Sequence, residues 1–245
     1  MDEPVVDRAS VRQRLLDAAD ELFYHEGLHR VHIDRVIEKA GVPVDTLRDA
    51  FGSTDELIRT YLRARHTRLQ DAVARELPRY NTPRERLMGV FEIQGQSFVE
   101  PGFHGCALVT ASAEALPGEV VEEIVTEYRD WLQNLFFDLA FAAEVPHPEE
   151  LAEQLVVLFD GAGVSAWLGR RPSTVNTSRA VAEALIDAAL QLSSRSGCAA
   201  EAIGRHRRRC PAFRCRTRSS RRWGRPRATG SRRSRRDRDT QPGRP

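Results

Sequence analysis

The stretch Ile33 to Phe51, IDRVIEKAGVPVDTLRDAF, decides how this chain is read. Apolar Ile33, Val36, Ile37 and Ala40 recur at helical spacing, and Gly41 supplies the left-handed residue that stops the helix. Pro43 cannot continue a helix but starts one well. In the second segment Leu47 and Phe51 lie one turn apart and face inward, which turns Val44, Asp45, Arg48 and Asp49 outward together. Two short helices joined by a tight turn at Ala40-Gly41-Val42 have a shape that fits the DNA major groove. The outward face is the candidate reading surface, although the same pattern also suits an ordinary hairpin packed in a helical protein.

The flanks extend the frame. Ser10-Val11-Arg12-Gln13 has the form of a capping box, and it opens an apolar stripe of Val11, Leu15, Leu16, Ala18, Ala19, Leu22 and Phe23 that ends at Gly27. Ser53-Thr54-Asp55-Glu56 is a second capping box, with two acids where the helix dipole favours them. It opens a long helix reaching about Leu77. The order is therefore helix, short helix, turn, short helix, long helix.

With this order in place, the run LLDAADELFYHEGLHRVHIDRVIEKAGVPVDTLRDAFGSTDELIRTYL, Leu15 to Leu62, resembles the tetracycline-repressor (TetR) family of one-component bacterial transcription regulators. Its family-like marks are Ala18, Ala19, Leu22, Phe23, Gly27, Ile33, Ala40, Gly41, Val42, Thr46, Leu47, Phe51, Ser53 and Leu57. A later run, GCALVTASAE from Gly105 to Glu114, and LFDGAGVSAW from Leu158 to Trp167 are more weakly similar to the ligand and dimer domain of some members. The resemblance implies an all-α fold. Residues 9–69 would form a helix-turn-helix DNA-binding domain with its reading motif at 32–51, and residues 70–197 a helical ligand-binding and dimerisation domain.

On that frame the candidate DNA contacts are His32, Arg35, Pro43, Val44, Asp45, Thr46, Arg48, Asp49 and Thr54. Members of the family usually carry lysine where this chain has Val44, tyrosine at Arg48, histidine at Ala50 and lysine at Thr54, groups that mostly hold the DNA backbone. Phosphate contacts supply much of the affinity, and each one lost lowers the salt slope by roughly 0.9. Arg48 can replace one such contact, since guanidinium binds phosphate well. Asp45 and Asp49 would face a polyanion, although an acid can accept from the amino group of cytosine. Residues 1–69 hold eleven Arg or Lys against thirteen Asp or Glu. Even with Arg8, Arg12, Arg14, Arg30 and Arg35 near the DNA side, this face predicts a weaker or altered operator affinity than is common in the family.

Charge and composition organise the rest. Residues 70–197 carry nine basic and nineteen acidic side chains, which disfavours nucleic acid as a partner of that region. Pro and Gly punctuation divides it into helices at about 83–99, 105–115, 118–144, 148–168 and 175–192. Gly161, Ala162, Gly163, Ser165 and Ala166 on one helix, and Ala180, Ala182, Ala184, Ala188 and Ala189 on the last, are small residues that let helices approach closely. Gly161, Ser165, Ala184 and Ala188 are accordingly the candidate homodimer contacts, since in the family the last two helices make the dimer. The alternative is that these helices pack only within one subunit.

The middle helices carry the aromatics, including Phe91, Phe98, Phe103, Phe136, Phe137 and Phe141, most of which helical spacing assigns to plain core. A small hydrophobic inducer needs an apolar cavity with a few polar groups. The candidate pocket residues are Gln94, Phe98, His104, Cys106, Thr110, Tyr128, Trp131 and Trp167, with Gln133 as a further polar candidate. Cys106 on an apolar helix reads as a small buried hydrophobe.

Residues 198–245 belong to another composition class, with seventeen Arg and three acids, and without them the chain would be acidic. Arg, Ser, Gly and Pro with little apolar periodicity predict a disordered tail. It reads as a basic arm adding nonspecific nucleic-acid affinity, or as a segment with no evolved role. The single lysine, Lys39, against thirty-six arginines points to a GC-rich gene, and read-through in a shifted frame would yield such a mixture. That origin is the favoured hypothesis, and an intact mass of the native protein matching all 245 residues would contradict it. Cys198, Cys210, Cys215 and His206 lack the paired C-x-x-C spacing of a zinc knuckle, so no metal or cofactor is expected.

The opening MDEPVVDRAS has neither a basic region nor an apolar core, and no apolar run reaches the roughly 20 residues of a membrane span, so a cytoplasmic protein is expected. The chain shows no H-E-x-x-H, Walker loop, G-x-S-x-G or dinucleotide fingerprint, which disfavours an enzyme. Two functions stay open. One is a dimeric regulator, a repressor on a palindromic operator, released by a small apolar or amphipathic ligand. The other is an interaction protein on the same frame whose specific DNA binding is weakened or lost.

Overall fold

Helices alone account for the regular structure of the described residues, 8–169 and 173–207 of a computed structural model, with side chains described as far as Leu192. They are α1 (Arg8–Glu26), α2 (Ile33–Ala40), α3 (Thr46–Phe51), α4 (Thr54–Glu76), a 3-10 turn (Leu77–Arg79), α5 (Pro83–Phe98), α6 (Ala107–Glu114), α7 (Val120–Ala142), α8 (Pro148–Gly169) and α9 (Ser173–Arg207).

Local chemistry explains most boundaries and corrects some expectations. α1 already runs from Arg8, so Ser10 lies inside the helix and is not its cap. Ser53 does cap α4, its hydroxyl accepting from the Glu56 N–H at 3.1 Å. The reciprocal half of the expected box is missing because the Glu56 carboxylate pairs with Arg59 instead. The complete capping box stands at Thr82 and Glu85, in front of α5, where Pro83 occupies the first turn. α6 begins at Ala107 rather than Gly105, whose positive φ of 88° keeps it outside the helix. α9 continues to Arg207, past the Gly197 boundary that composition suggested, through the helix-forming run Ala199-Ala200-Glu201-Ala202. The expectations about Cys210, Cys215 and the arginines beyond lie outside the described residues.

The apolar stripe of α1 is buried as its spacing dictates, with Leu15 and Ala19 fully enclosed in the same core cluster as Val36, Ile37, Leu57 and Tyr61. α4 passes residue 69 without a break and serves both halves of the chain. On one side Arg65 of α4 pairs with Asp20 of α1 at 2.7 Å. On the other, Arg59 and Arg63 meet Glu123 and Glu127 of α7 at 2.8 to 3.3 Å. The largely exposed pairs to α7 contribute little individually, whereas the Arg65–Asp20 pair is part-buried and two-pronged. The packing that fixes α4 is the burial of Leu57, Tyr61, Leu62 and Val73.

Farther along, Phe91, Phe136 and Phe159 from α5, α7 and α8 meet edge to face or tilted, with centroids 5.6 to 6.1 Å apart. Phe141 departs from the expected core and is 69% exposed, stacked on Phe137. α8 is, against expectation, long and apolar enough to cross a membrane by length and composition. Its buried residues, from Leu151 through Phe159 to Ala166, pack as those of a core helix.

Candidate nucleic-acid interface and internal cavity

The turn between α2 and α3 is fixed by its backbone. Gly41 adopts φ 62° and ψ 41°, and the Gly41 and Val42 N–H groups reach back to the Glu38 and Ile37 carbonyls at 3.0 and 3.4 Å, a Schellman closure of α2. Val42 is buried and pins the turn to the core. Thr46 donates both its N–H and its hydroxyl to the Pro43 carbonyl, at 3.0 and 2.6 Å, and so starts α3. Phe51 is buried, with the Arg12 guanidinium 4.5 Å above its ring. Arg14 reaches the Gly41 carbonyl at 3.4 Å, a second tie from α1 to the turn.

With that face fixed inward, Pro43, Val44, Asp45, Arg48 and Asp49 are all exposed, Val44 at 71%, and Leu47 and Thr46 are half-buried. Thr54, in the first turn of α4, is exposed beside them. His32 stands at the N-cap of α2, exposed, without a side-chain capping bond. Not every nearby cation is available to DNA. Arg35 makes a two-pronged bridge to Glu26 at 2.6 and 3.0 Å, which holds the Glu26 carboxyl below the usual carboxylate range. Lys39 pairs with Glu21 at 2.7 Å. Arg48 makes no side-chain hydrogen bond or ion pair with another described residue, so it is the cation of α3 left for a partner.

A cavity of about 690 Å³ lies where α1, α4, α5, α7 and α8 meet the loop before α6. Of the expected pocket residues, Gln94, Phe98, Cys106 and Tyr128 line it. The other four sit elsewhere. The His104 ring packs on Trp167 at 5.1 Å and on His25 at 5.7 Å, because its loop turns it toward the end of α1. Trp131 covers His66 at 5.2 Å. Thr110 faces a crevice of only about 10 Å³ beside Gly27 and Glu114. Sequence reasoning missed Tyr24, Arg65, Arg68 and Phe159 as lining residues. Periodicity places them on helix faces without naming the neighbour each face meets.

Two contacts join the cavity loop and α6 to α1. The Tyr24 hydroxyl accepts from the His104 N–H at 2.8 Å and donates to the Gly105 carbonyl at 2.9 Å, and burial pushes this phenol up. Glu114, ending α6, accepts from the Leu28 N–H at 2.9 Å.

The expected dimer residues Gly161, Ser165, Ala184 and Ala188 are all exposed, whereas Ala162, Gly163, Ala166 and Ala182 turn into the subunit. Val157, Val164 and Leu168 are exposed along α8 at the same spacing as Gly161, and Val181 and Leu192 along α9 with Ala184 and Ala188. Each helix thus shows an unburied apolar stripe.

Residues 15–61, from within α1 through α2 and α3 to the first two turns of α4, match the family described as bacterial regulatory proteins, tetR family. A solved TetR-type transcriptional regulator from Streptomyces avermitilis is 30% identical, with 73% of this chain aligned to 97% of that one and a TM-score of 0.63. The chain belongs to the TetR family. A TetR-family regulator from Streptomyces coelicolor is 28% identical over 74% of this chain and 97% of its own, with a TM-score of 0.71. Among curated proteins, the HTH-type transcriptional regulator BetI of Rhizobium meliloti (strain 1021) is 25% identical over 190 residues, 77% of this chain and 94% of that protein. This TetR-family chain is therefore a transcriptional regulator with a helix-turn-helix DNA-binding domain.

Proposed function

We propose that the protein is a dimeric repressor that sits on a palindromic operator and is released when a small, mainly apolar molecule fills the 690 Å³ cavity. The observation that carries this reading is the fixed α2-turn-α3 unit, with Phe51 locked inward and the α3 face bearing Arg48 wholly in solvent. The apolar stripes of α8 and α9 supply a surface for a second copy, and two reading heads suit a two-fold symmetric site. The cytoplasm, where DNA is, is its place of work.

α4 supplies the link between ligand and DNA. Its first turn follows α3 directly, and its Arg65, Leu69 and Ala72 stand in the cavity wall. A ligand that binds better to the arrangement with the heads apart shifts the dimer off the operator. The pairing of Arg35 with Glu26 and of Lys39 with Glu21 leaves few cations for phosphate, which supports modest affinity. Gel-shift titration of the dimer on the DNA upstream of its own gene tests the reading. A discrete complex supports it, and the absence of any sequence-preferring complex favours an interaction protein.

A further inference from the structure

The chemistry of the cavity wall narrows the ligand, on the proposed reading that this cavity is the inducer site. Gln94 of α5 is buried, 9% exposed, and stands in that wall. Its Nε2 donates to the Phe159 carbonyl of α8 at 2.7 Å, which fixes the orientation of the amide. Its Oε1 has no hydrogen-bond partner and is closed to water, so a ligand's donor reaches it only with a small shift of the side chains that cover it. A buried acceptor without a donor is a standing penalty on the empty protein, and a ligand that brings a donor removes it.

The other polar groups around Gln94 are uncharged. Ser97 is already committed, its hydroxyl donating to the Gln94 carbonyl at 2.7 Å. Cys106 and Tyr128 touch through their sulfur and hydroxyl at 3.9 Å, and burial pushes both the thiol and the phenol up, so each keeps its proton at neutral pH. Phe98, Phe103, Leu108 and Phe159 complete an apolar surround. Each arginine of the wall already faces a carboxylate. Arg65 and Arg68 hold Asp20 at 2.7 and 3.2 Å, and Arg75 holds Glu76 at 3.2 Å. Asp71 and Glu100 add negative charge to the same wall. An ionised ligand would lose its hydration here and would have to compete with Asp20 and Glu76 for those arginines.

We infer that the ligand is an uncharged, largely apolar molecule carrying a hydroxyl or N–H group that donates to Gln94 Oε1. The volume is that of a drug-sized compound, within the roughly 300–1,000 Å³ of such sites.

Three compounds of one shape test this by calorimetric titration of the full chain: 4-phenylphenol, with a donor; 4-methoxybiphenyl, without one; and biphenyl-4-carboxylate, ionised. The phenol is expected to bind about tenfold more tightly than either of the others. In Gln94→Met the phenol and the ether should come within about twofold of each other, with the fold checked by circular dichroism. The inference is overturned if the ether equals the phenol in the native chain, if the carboxylate binds best, or if the preference for the phenol survives Gln94→Met. Ser97→Trp, which fills the cavity, separates the two levels. Loss of carboxylate binding in that variant removes only the ligand class, whereas binding that survives it, or no binding of any compound to the native chain, removes the reading of the cavity as well.

Discussion

The Glu114 carboxylate closes the end of α1 by accepting the Leu28 N–H at 2.9 Å, so the last residue of α6 holds the first helix of the DNA-binding domain. The approach is close enough that a Cβ on Gly27, already at φ 94°, would lie 2.6 Å from Glu114 Oε1. Removing the acceptor with Glu114→Ala leaves a part-buried donor unpaired and is expected to cost about 1–3 kcal/mol. At this chain size that lowers Tm by about 2–4 °C for each kcal/mol. Glu114→Gln, which keeps an acceptor oxygen, should lose less. If α6 also relays the ligand signal, Glu114→Ala keeps its DNA complex but needs more ligand to release it, as read by gel shift.

Arg48 is the cation of α3 free to meet DNA. Arg48→Ala is expected to reduce operator affinity by about tenfold, and to flatten the salt slope by roughly 0.9 per reading head if the contact is to phosphate. Val44→Lys places a cation on the 71% exposed position beside it and should steepen the slope by roughly 1.8 for the dimer. Fluorescence anisotropy over a salt series measures both. A steep, tight complex in the native chain would contradict the modest affinity expected from this face.

His66 is buried between Tyr128 and Trp131, with no partner for Nε2, and burial lowers its pKa despite the opposing charge of Glu127. Above the ordinary value of 6.5 the ring is neutral in both folded and unfolded chains, and nothing is lost. Below it the unfolded chain takes the proton more readily, so stability declines as pH falls toward the lowered folded value. Thermal melts between pH 8 and pH 5 should show this decline, and His66→Phe should remove part of it. An unchanged pH profile in His66→Phe would contradict the assignment.

Gly89 lies within α5 under the Tyr80 ring, whose hydroxyl donates to Glu92 at 2.7 Å. A Cβ there would meet the ring at 2.5 Å. Gly89→Ala is therefore expected to destabilise by about 1–3 kcal/mol through overpacking, although helix propensity alone favours alanine by about 1 kcal/mol. A higher melting temperature would show that the ring gives way.

The reading motif was legible because its signals are local. Gly41, Pro43 and the Leu47 to Phe51 spacing each act within one turn of the chain, and the backbone follows them. The cavity was only half legible. Helical spacing put Gln94, Phe98, Cys106 and Tyr128 on inward faces, but the loop carrying His104 swings it onto Trp167, and only tertiary packing decides that. Ser10 failed as a cap because α1 extends past it, and the Thr82–Glu85 box was the complete one.

The exposed face of α3 is expected to hold DNA in a dimer. The decisive experiment is footprinting of residues 1–207 on the DNA upstream of the gene, without the arginine-rich segment beyond. The expected result is a two-fold symmetric protected site, with half-sites about one helical turn or a multiple of it apart, that weakens with Arg48→Ala. A folded dimer that protects no site, or a site indifferent to Arg48→Ala, would contradict it.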